Sequence, residues 1–154
     1  ANQIAKIVPK DVMIVALLRG SFVFAADLIR AMHALGMRPQ MDFLTLASYR
    51  DKMQSSGQVE IVRDLTEPVE GRDILIVDDI LESGRTLHAA RTLIESRGAK
   101  SVRIAVLLEK PGKRTTDIKA DFVGFTVEDK FVVGYGLDYA NYYRELPYIG
   151  VLTL

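Results

Sequence analysis

Val12–Leu18 reads VMIVALL, an unbroken apolar run that stops at Arg19-Gly20-Ser21. A bilayer span needs ~20 such residues, and a strand with one wet face alternates apolar with polar positions. The run is too short for the first and too uniform for the second, so it reads as a strand buried on both faces. Such a strand demands layers above and below it. Phe22–Leu35 carries apolar residues at helical spacing and closes at Gly36. Met41–Tyr49 and Val59–Asp64 are strand-like, and RDKMQSSGQ between them is polar and contains glycine, which predicts a mobile hairpin arm over about residues 49–59. Ile74–Val77 is another buried strand, Thr86–Ser96 a helix ending near Gly98, and Val102–Leu108 a further strand. Shorter apolar runs follow at Phe122–Phe125, Phe131–Tyr135 and Tyr148–Leu152. Strand, helix, strand, helix, strand predicts an α/β domain with a mostly parallel, twisted sheet flanked by helices. Ligands of such sheets bind beyond the carboxyl ends of the strands.

With 154 residues, 49% apolar and 26% charged, the chain is the size of one domain and is predicted to fold as one over residues 1–154. Its 20 basic and 20 acidic side chains balance, so no global field draws a polyanion and nucleic acid is not the expected partner. The chain has no cysteine, hence no disulfide framework and no thiolate chemistry, which fits a cytoplasmic setting. No apolar run approaches a membrane span, and the opening ANQIAKIVPKD lacks the pattern of a signal peptide. Ile4, Ile7 and Val8 have the spacing of the end of an amphipathic helix, so the N-terminal segment is expected to be incomplete.

The stretch Ile74–Leu87, ILIVDDILESGRTL, concentrates the chemistry. A strand, a short loop and a helix start expose backbone N–H groups without intrahelical partners, and the helix dipole adds positive charge there. This makes an anion site, to which Ser83 and Thr86 add hydroxyls and Gly84 adds room for close approach. Neither GxxxxGK[ST] nor GxGxxG occurs, so nucleoside-triphosphate and dinucleotide loops lack their residues. Asp78 and Asp79 would repel a bare phosphate. They fit if they accept hydrogen bonds from a sugar diol and hold Mg²⁺ directly or through its waters. A ligand carrying a phosphate, ribose hydroxyls and metal-bound anionic oxygens meets all these demands. Two plainer readings compete: acids that merely end a strand, with Glu82 or Ser83 capping the next helix, and a receiver-type site phosphorylated on a strand-end aspartate. Acids clustered on one loop beside a phosphate cradle disfavour both.

VDDILESGRTL closely resembles the 5-phosphoribosyl-1-pyrophosphate (PRPP) loop of the type I phosphoribosyltransferases. LLRGSFVFAADLIR, the Ser48-Tyr49 pair, LLEKP, DFVGFTVEDKFVVGYGLDY and YRELPYIGVL resemble, in order, the bacterial hypoxanthine (hypoxanthine-guanine) branch. The likeness runs from about Val12 to Gly150. It implies the type I phosphoribosyltransferase fold with a small hood region, and an Mg²⁺-dependent reaction: PRPP and a 6-oxopurine give the nucleoside monophosphate and pyrophosphate.

The resemblance also assigns roles. Glu82, Ser83, Gly84, Arg85 and Thr86 would bind the 5′-phosphate. Asp78 and Asp79 would serve the ribose hydroxyls and the metal, and Asp138 would bind Mg²⁺. Leu18, Arg19 and Gly20 would form the pyrophosphate loop, with a cis peptide between the first two; Arg19 stands where lysine is frequent. Arg144 would be a second pyrophosphate contact. Lys110 would donate to the 6-oxygen, which adenine lacks, Phe131 would stack on the ring, and Val132 and Leu137 would complete the purine site. Ser48 and Tyr49 would begin an arm that closes over the reacting centre. Glu82 occupies the position of a common aspartate base and is one methylene longer; it can accept the same proton. His33 and His88 match no functional position. Homodimers or homotetramers are implied. Two alternatives are a xanthine-preferring transferase and an RNA-binding regulatory relative; the balanced charge and the complete purine-side set favour the enzyme.

Overall fold

A computed structural model describes residues 1–48 and 59–153. Tyr49 and the rest of the expected arm lie outside the described residues. Six strands form one sheet in the order β3-β2-β1-β4-β5-β6: β1 Met13–Leu17, β2 Gln40–Ser48, β3 Val59–Arg63, β4 Asp73–Leu81, β5 Ser101–Glu109 and β6 Phe122–Thr126. All neighbours run parallel except β2 and β3. A separate two-stranded antiparallel sheet pairs β7 Val132–Val133 with β8 Gly150–Val151. It is the counterpart of the expected hood.

Every residue of β1 is buried, as an unbroken apolar run requires. Successive side chains point to opposite faces, and each face has its own core. On one, Met13, Val15, Leu17, Ile74 and Ile76 pack against Leu87, Ala90 and Ile94 of helix α3, Arg85–Ser96. On the other, Ile14, Ala16, Leu75 and Val77 pack against Ala25, Leu28 and Met32 of helix α2, Phe22–Ala34. In both helices the buried positions fall at i, i+3 and i+7, one stripe of an α-helix. Burial of each large aliphatic side chain stabilises the fold by about 1.5–3 kcal/mol.

Three expectations need correction. The strand expected over Ile74–Val77 continues to Leu81, because Asp78, Ile80 and Leu81 keep pairing with Val106, Leu108 and Glu109; the two aspartates therefore sit on a strand rather than a loop. The N-terminal helix α1 is a single turn, Asn2–Ala5, with Ile4 and Val8 buried and Ile7 55% exposed. Finally, the runs Phe131–Tyr135 and Tyr148–Leu152 yield only two paired residues each, since Tyr135 adopts a positive φ of 53° between two glycines that do the same.

Asp42 is the one carboxylate in the interior of β2, 3% exposed. It accepts hydrogen bonds from the backbone of Phe43, Thr66 and Glu67 and from the Thr66 hydroxyl. Burial alone would raise its pKa, but these donors outweigh burial and hold it below the ordinary carboxylate value. It pins the connection after β3 to the sheet.

Candidate active site

The strand order reverses between β1 and β4: from β1 the chain winds toward β2, from β4 toward β5. That switch point parts the loops at the carboxyl ends of the two strands. A cavity of about 320 Å³ opens there, lined by Leu17, Leu18, Arg19 and Gly20 at and beyond the end of β1 and by Asp78 through Leu81 of β4 with Glu82, Ser83, Gly84, Thr86 and Leu87 beyond it. Leu46 of β2 lines it as well.

On the β1 side the Leu18–Arg19 peptide is cis. Gly20 is pressed between two loops: a Cβ here would overlap the Asp79 carboxylate, and a Cβ on Gly136 would come within 2.5 Å of the Gly20 carbonyl oxygen. Arg19 and Arg144 meet at Asn141, whose Oδ1 accepts from Arg19 Nη1 at 3.3 Å and from Arg144 Nη2 at 3.4 Å. Arg144 also donates to the Gly136 carbonyl at 2.6 Å and pairs with Asp138 at 3.1 Å. One neutral amide oxygen thus gathers two cations. Sequence reading passed over Asn141, an ordinary asparagine in a polar turn; its φ of 68° is the local sign of its special place.

On the β4 side, the Asp79 N–H donates to Asp78 Oδ1 at 2.9 Å and the Ile80 N–H to Asp79 Oδ1 at 2.7 Å. Burial, followed by the adjacent Asp79 charge, pushes the Asp78 carboxyl well above its ordinary value. Burial also raises Asp79, against the opposing pull of hydrogen bonds and the Arg144 charge. Two carboxylates that are costly to ionise together suit a hard cation, which would compensate both charges. Among the described residues no group of three metal-ligating side chains assembles. Mg²⁺ takes one or two carboxylates and completes its shell with water and substrate phosphates, so this donor set fits it. Asp138 does not line the cavity; it is held by Arg144 and accepts from the Asn141 N–H at 2.8 Å.

Beyond Leu81 comes the turn expected to cradle the phosphate. Gly84 is the N-cap of α3, with φ 83° and no side-chain cap on the helix. A side chain is barred there, since a Cβ would run into Ile118 and Thr116. Ser83 and Thr86 line the cavity, whereas the Arg85 side chain is exposed and only its backbone belongs to the turn. Leu81 pairs with Glu109 at the end of the parallel ladder, so the next residues, Glu82 and Lys110, leave side by side. Lys110 Nζ donates to Glu82 Oε1 at 2.6 Å, and the lysine side chain is only 7% exposed.

Of the other residues expected on the purine side, Phe131 is half-exposed and meets Tyr139 edge to face, with centroids 5.7 Å apart. Val132 lies in β7. Leu137 is buried with Leu107 and Leu108, and its backbone exchanges two hydrogen bonds with Gly134. None of these three lines the cavity. His33 and His88 are exposed on α2 and α3, away from it.

The switch point of an α/β sheet thus brings together a glycine turn at a helix start, an acidic pair and Arg19, the elements of a site for an anionic ligand. The model of the phosphoribosyl transferase domain matches residues 2–140; the chain belongs to that family and is a phosphoribosyltransferase of the type I fold. Within it the similarity is to the hypoxanthine branch. The chain is 54% identical over 138 residues to the hypoxanthine-guanine phosphoribosyltransferase of Bacillus subtilis (strain 168), covering 90% of this chain and 75% of that protein. It is 46% identical over 144 residues to the hypoxanthine phosphoribosyltransferase of Escherichia coli (strain K12), covering 94% and 79%. The crystal structure of a hypoxanthine phosphoribosyltransferase from Staphylococcus aureus superposes with a TM-score of 0.90 at 41% identity, covering 99% of this chain and 81% of that one.

Proposed function

We propose that the chain transfers the 5-phosphoribosyl group of PRPP to hypoxanthine and guanine, releasing pyrophosphate and forming IMP or GMP, as a cytoplasmic purine-salvage enzyme acting as a homodimer or homotetramer. The observation that carries the choice of purine is the Lys110–Glu82 pair, 2.6 Å apart. The 6-oxygen and N7 of a 6-oxopurine stand side by side on one edge of the ring. An ammonium beside a carboxylate matches an acceptor beside a ring N–H. Adenine offers an amino group where Lys110 needs an acceptor, so the lysine would be left unpaired against it.

In the reaction, N9 of the purine bonds to the anomeric carbon of the ribose as the bond from that carbon to pyrophosphate breaks. Glu82 accepts the purine proton. Ser83, Gly84 and Thr86 bind the 5′-phosphate with their N–H and hydroxyl groups, and Asp78 and Asp79 take the ribose hydroxyls and hold Mg²⁺ with its waters. Mg²⁺, when bound, neutralises the charge that develops on the leaving pyrophosphate. Arg19 and Arg144 supply the remaining positive charge, released from Asn141 toward the pyrophosphate oxygens. Among the described residues no helix is long and apolar enough to cross a membrane.

The test supplies PRPP and Mg²⁺ with hypoxanthine, guanine, xanthine or adenine and measures nucleotide formation. Turnover with hypoxanthine and guanine and none with adenine is expected. No turnover with any purine overturns the reading, and a preference for xanthine replaces the substrate.

A further inference from the structure

The loop that follows β5 reads Lys110-Pro-Gly-Lys-Arg-Thr-Thr116, and apart from Lys110 the reaction above leaves it without a task. Its hydrogen bonds converge on the back of the phosphate turn. The Arg114 side chain, 19% exposed, donates from Nε to the Glu82 carbonyl at 3.0 Å and from Nη1 to the Ile118 carbonyl at 2.8 Å. Its Nη2 pairs with Glu109 at 3.0 Å. The Thr115 N–H donates to the Ser83 carbonyl at 3.0 Å, and the hydroxyls of Thr115 and Thr116 donate to the same oxygen at 3.3 Å. Two consecutive carbonyls, those of Glu82 and Ser83, are therefore captured from one direction.

A trans peptide is planar, with its C=O and N–H pointing opposite ways, and the only cis peptide among the described residues is Leu18–Arg19. Holding the Glu82 carbonyl to the rear turns the Ser83 N–H forward, and holding the Ser83 carbonyl turns the Gly84 N–H forward. Without that restraint either peptide could rotate and present a carbonyl to a phosphate, which repels it. Arg114 has no free charge of its own to offer a ligand, because Glu109 neutralises it. Gly84 packs so closely on Ile118 and Thr116 that a Cβ would overlap both, so the loop and the turn are in direct contact.

We propose that Arg114, Thr115 and Thr116 form a clamp that fixes the peptide orientation of the phosphate turn, making them positioning residues for the 5′-phosphate although none touches it. The proposal rests on the reading of the turn after β4 as the phosphate site and names what keeps that site in its binding form.

The test compares affinity for IMP with affinity for inosine, which lacks the phosphate, by calorimetry on the full chain. Arg114→Ala is expected to weaken IMP at least about tenfold, the loss of charged hydrogen bonds, while inosine stays within about twofold. Arg114→Lys restores part of the loss. Thr116→Val removes one neutral bond to the Ser83 carbonyl and is expected to weaken IMP by about two- to tenfold; this variant carries the test if Arg114→Ala does not fold. In steady-state assays the same split appears as a raised KM for PRPP with the purine KM unchanged at saturating PRPP. Equal losses for IMP and inosine, or no loss for IMP in either variant, overturn the clamp. Because the binding comparison needs no turnover, failure of the clamp is distinct from failure of the enzyme reading, which shows as an inactive unsubstituted chain.

Discussion

Lys110 and Glu82 are joined at 2.6 Å because the parallel register of β4 and β5 ends with Leu81 opposite Glu109. The proposed selector of the purine and the proposed acceptor of its proton are thus placed by one feature, the length of a ladder. Glu82→Gln keeps the size of the side chain and removes the base. We expect kcat to fall by about 10²-fold or more, the usual scale for general-base loss, while Glu82→Asp retains turnover within about tenfold of the unsubstituted enzyme. Initial rates with both substrates saturating decide it. Unchanged turnover in the glutamine variant removes Glu82 from the role of base.

Gly20 has no space for a methyl group beside Asp79. Gly20→Ala must displace the carboxylate or the loop. A misplacement of about 1 Å at a reacting centre costs about 10²-fold in rate, and the overpacking costs about 1–3 kcal/mol of stability. The expected result is a folded protein with kcat/KM for PRPP down by about two orders of magnitude, measured alongside urea unfolding.

Asp42 links stability to pH. Its pKa in the fold lies below the ordinary value, so its contribution is fully present above about pH 4, near the unfolded carboxyl pKa, and is lost as pH falls through the lowered folded value. Asp42→Asn should cost about 2–3 kcal/mol at pH 7, the scale of losing hydrogen bonds to a buried charge. It should also flatten the acid limb of a plot of unfolding free energy against pH. A variant with the same acid limb would show that another group carries it.

Tyr135 and Asp27 tie the 134–138 turn to α2, with the phenol donating to the carboxylate. Burial first, and then Asp27, push the tyrosine pKa up to about 12. A raised pKa of this kind stabilises the fold below the unfolded value of about 10, and the benefit is lost as pH climbs through the folded one. Tyr135→Phe should cost about 1 kcal/mol at neutral pH and lower the stability difference between the two proteins toward zero at the alkaline end. Chemical denaturation at a series of pH values measures it.

The elements that position the site were legible because they obey strong local rules. VMIVALL can hardly be anything but a buried strand, and the stripes on Phe22–Leu35 and Thr86–Ser96 have helical spacing. The acids after Val77 misled by their polarity: a strand that runs out over a cavity can carry Asp78 and Asp79 while still pairing through its backbone. Arg114 was illegible for a different reason. In sequence it belongs to a basic, proline- and glycine-containing loop that looks solvated, and only the fold shows its guanidinium on main-chain carbonyls. Asp42, by contrast, left a trace, a lone carboxylate among Met41, Phe43 and Leu44, that deserved to be read as a buried acceptor.

The two loops proposed to hold opposite ends of the ligand rest on separate foundations. The turn after β1 leads into α2, whose Leu28 and Met32 pack on Ile14 and Ala16; the turn after β4 leads into α3, whose Leu87 and Ile94 pack on Met13 and Val15. The sheet between them is their shared wall. Softening one core therefore loosens one jaw while the other keeps its bearing. If the loops hold pyrophosphate and phosphate as proposed, each grip is tunable from its own side of the sheet.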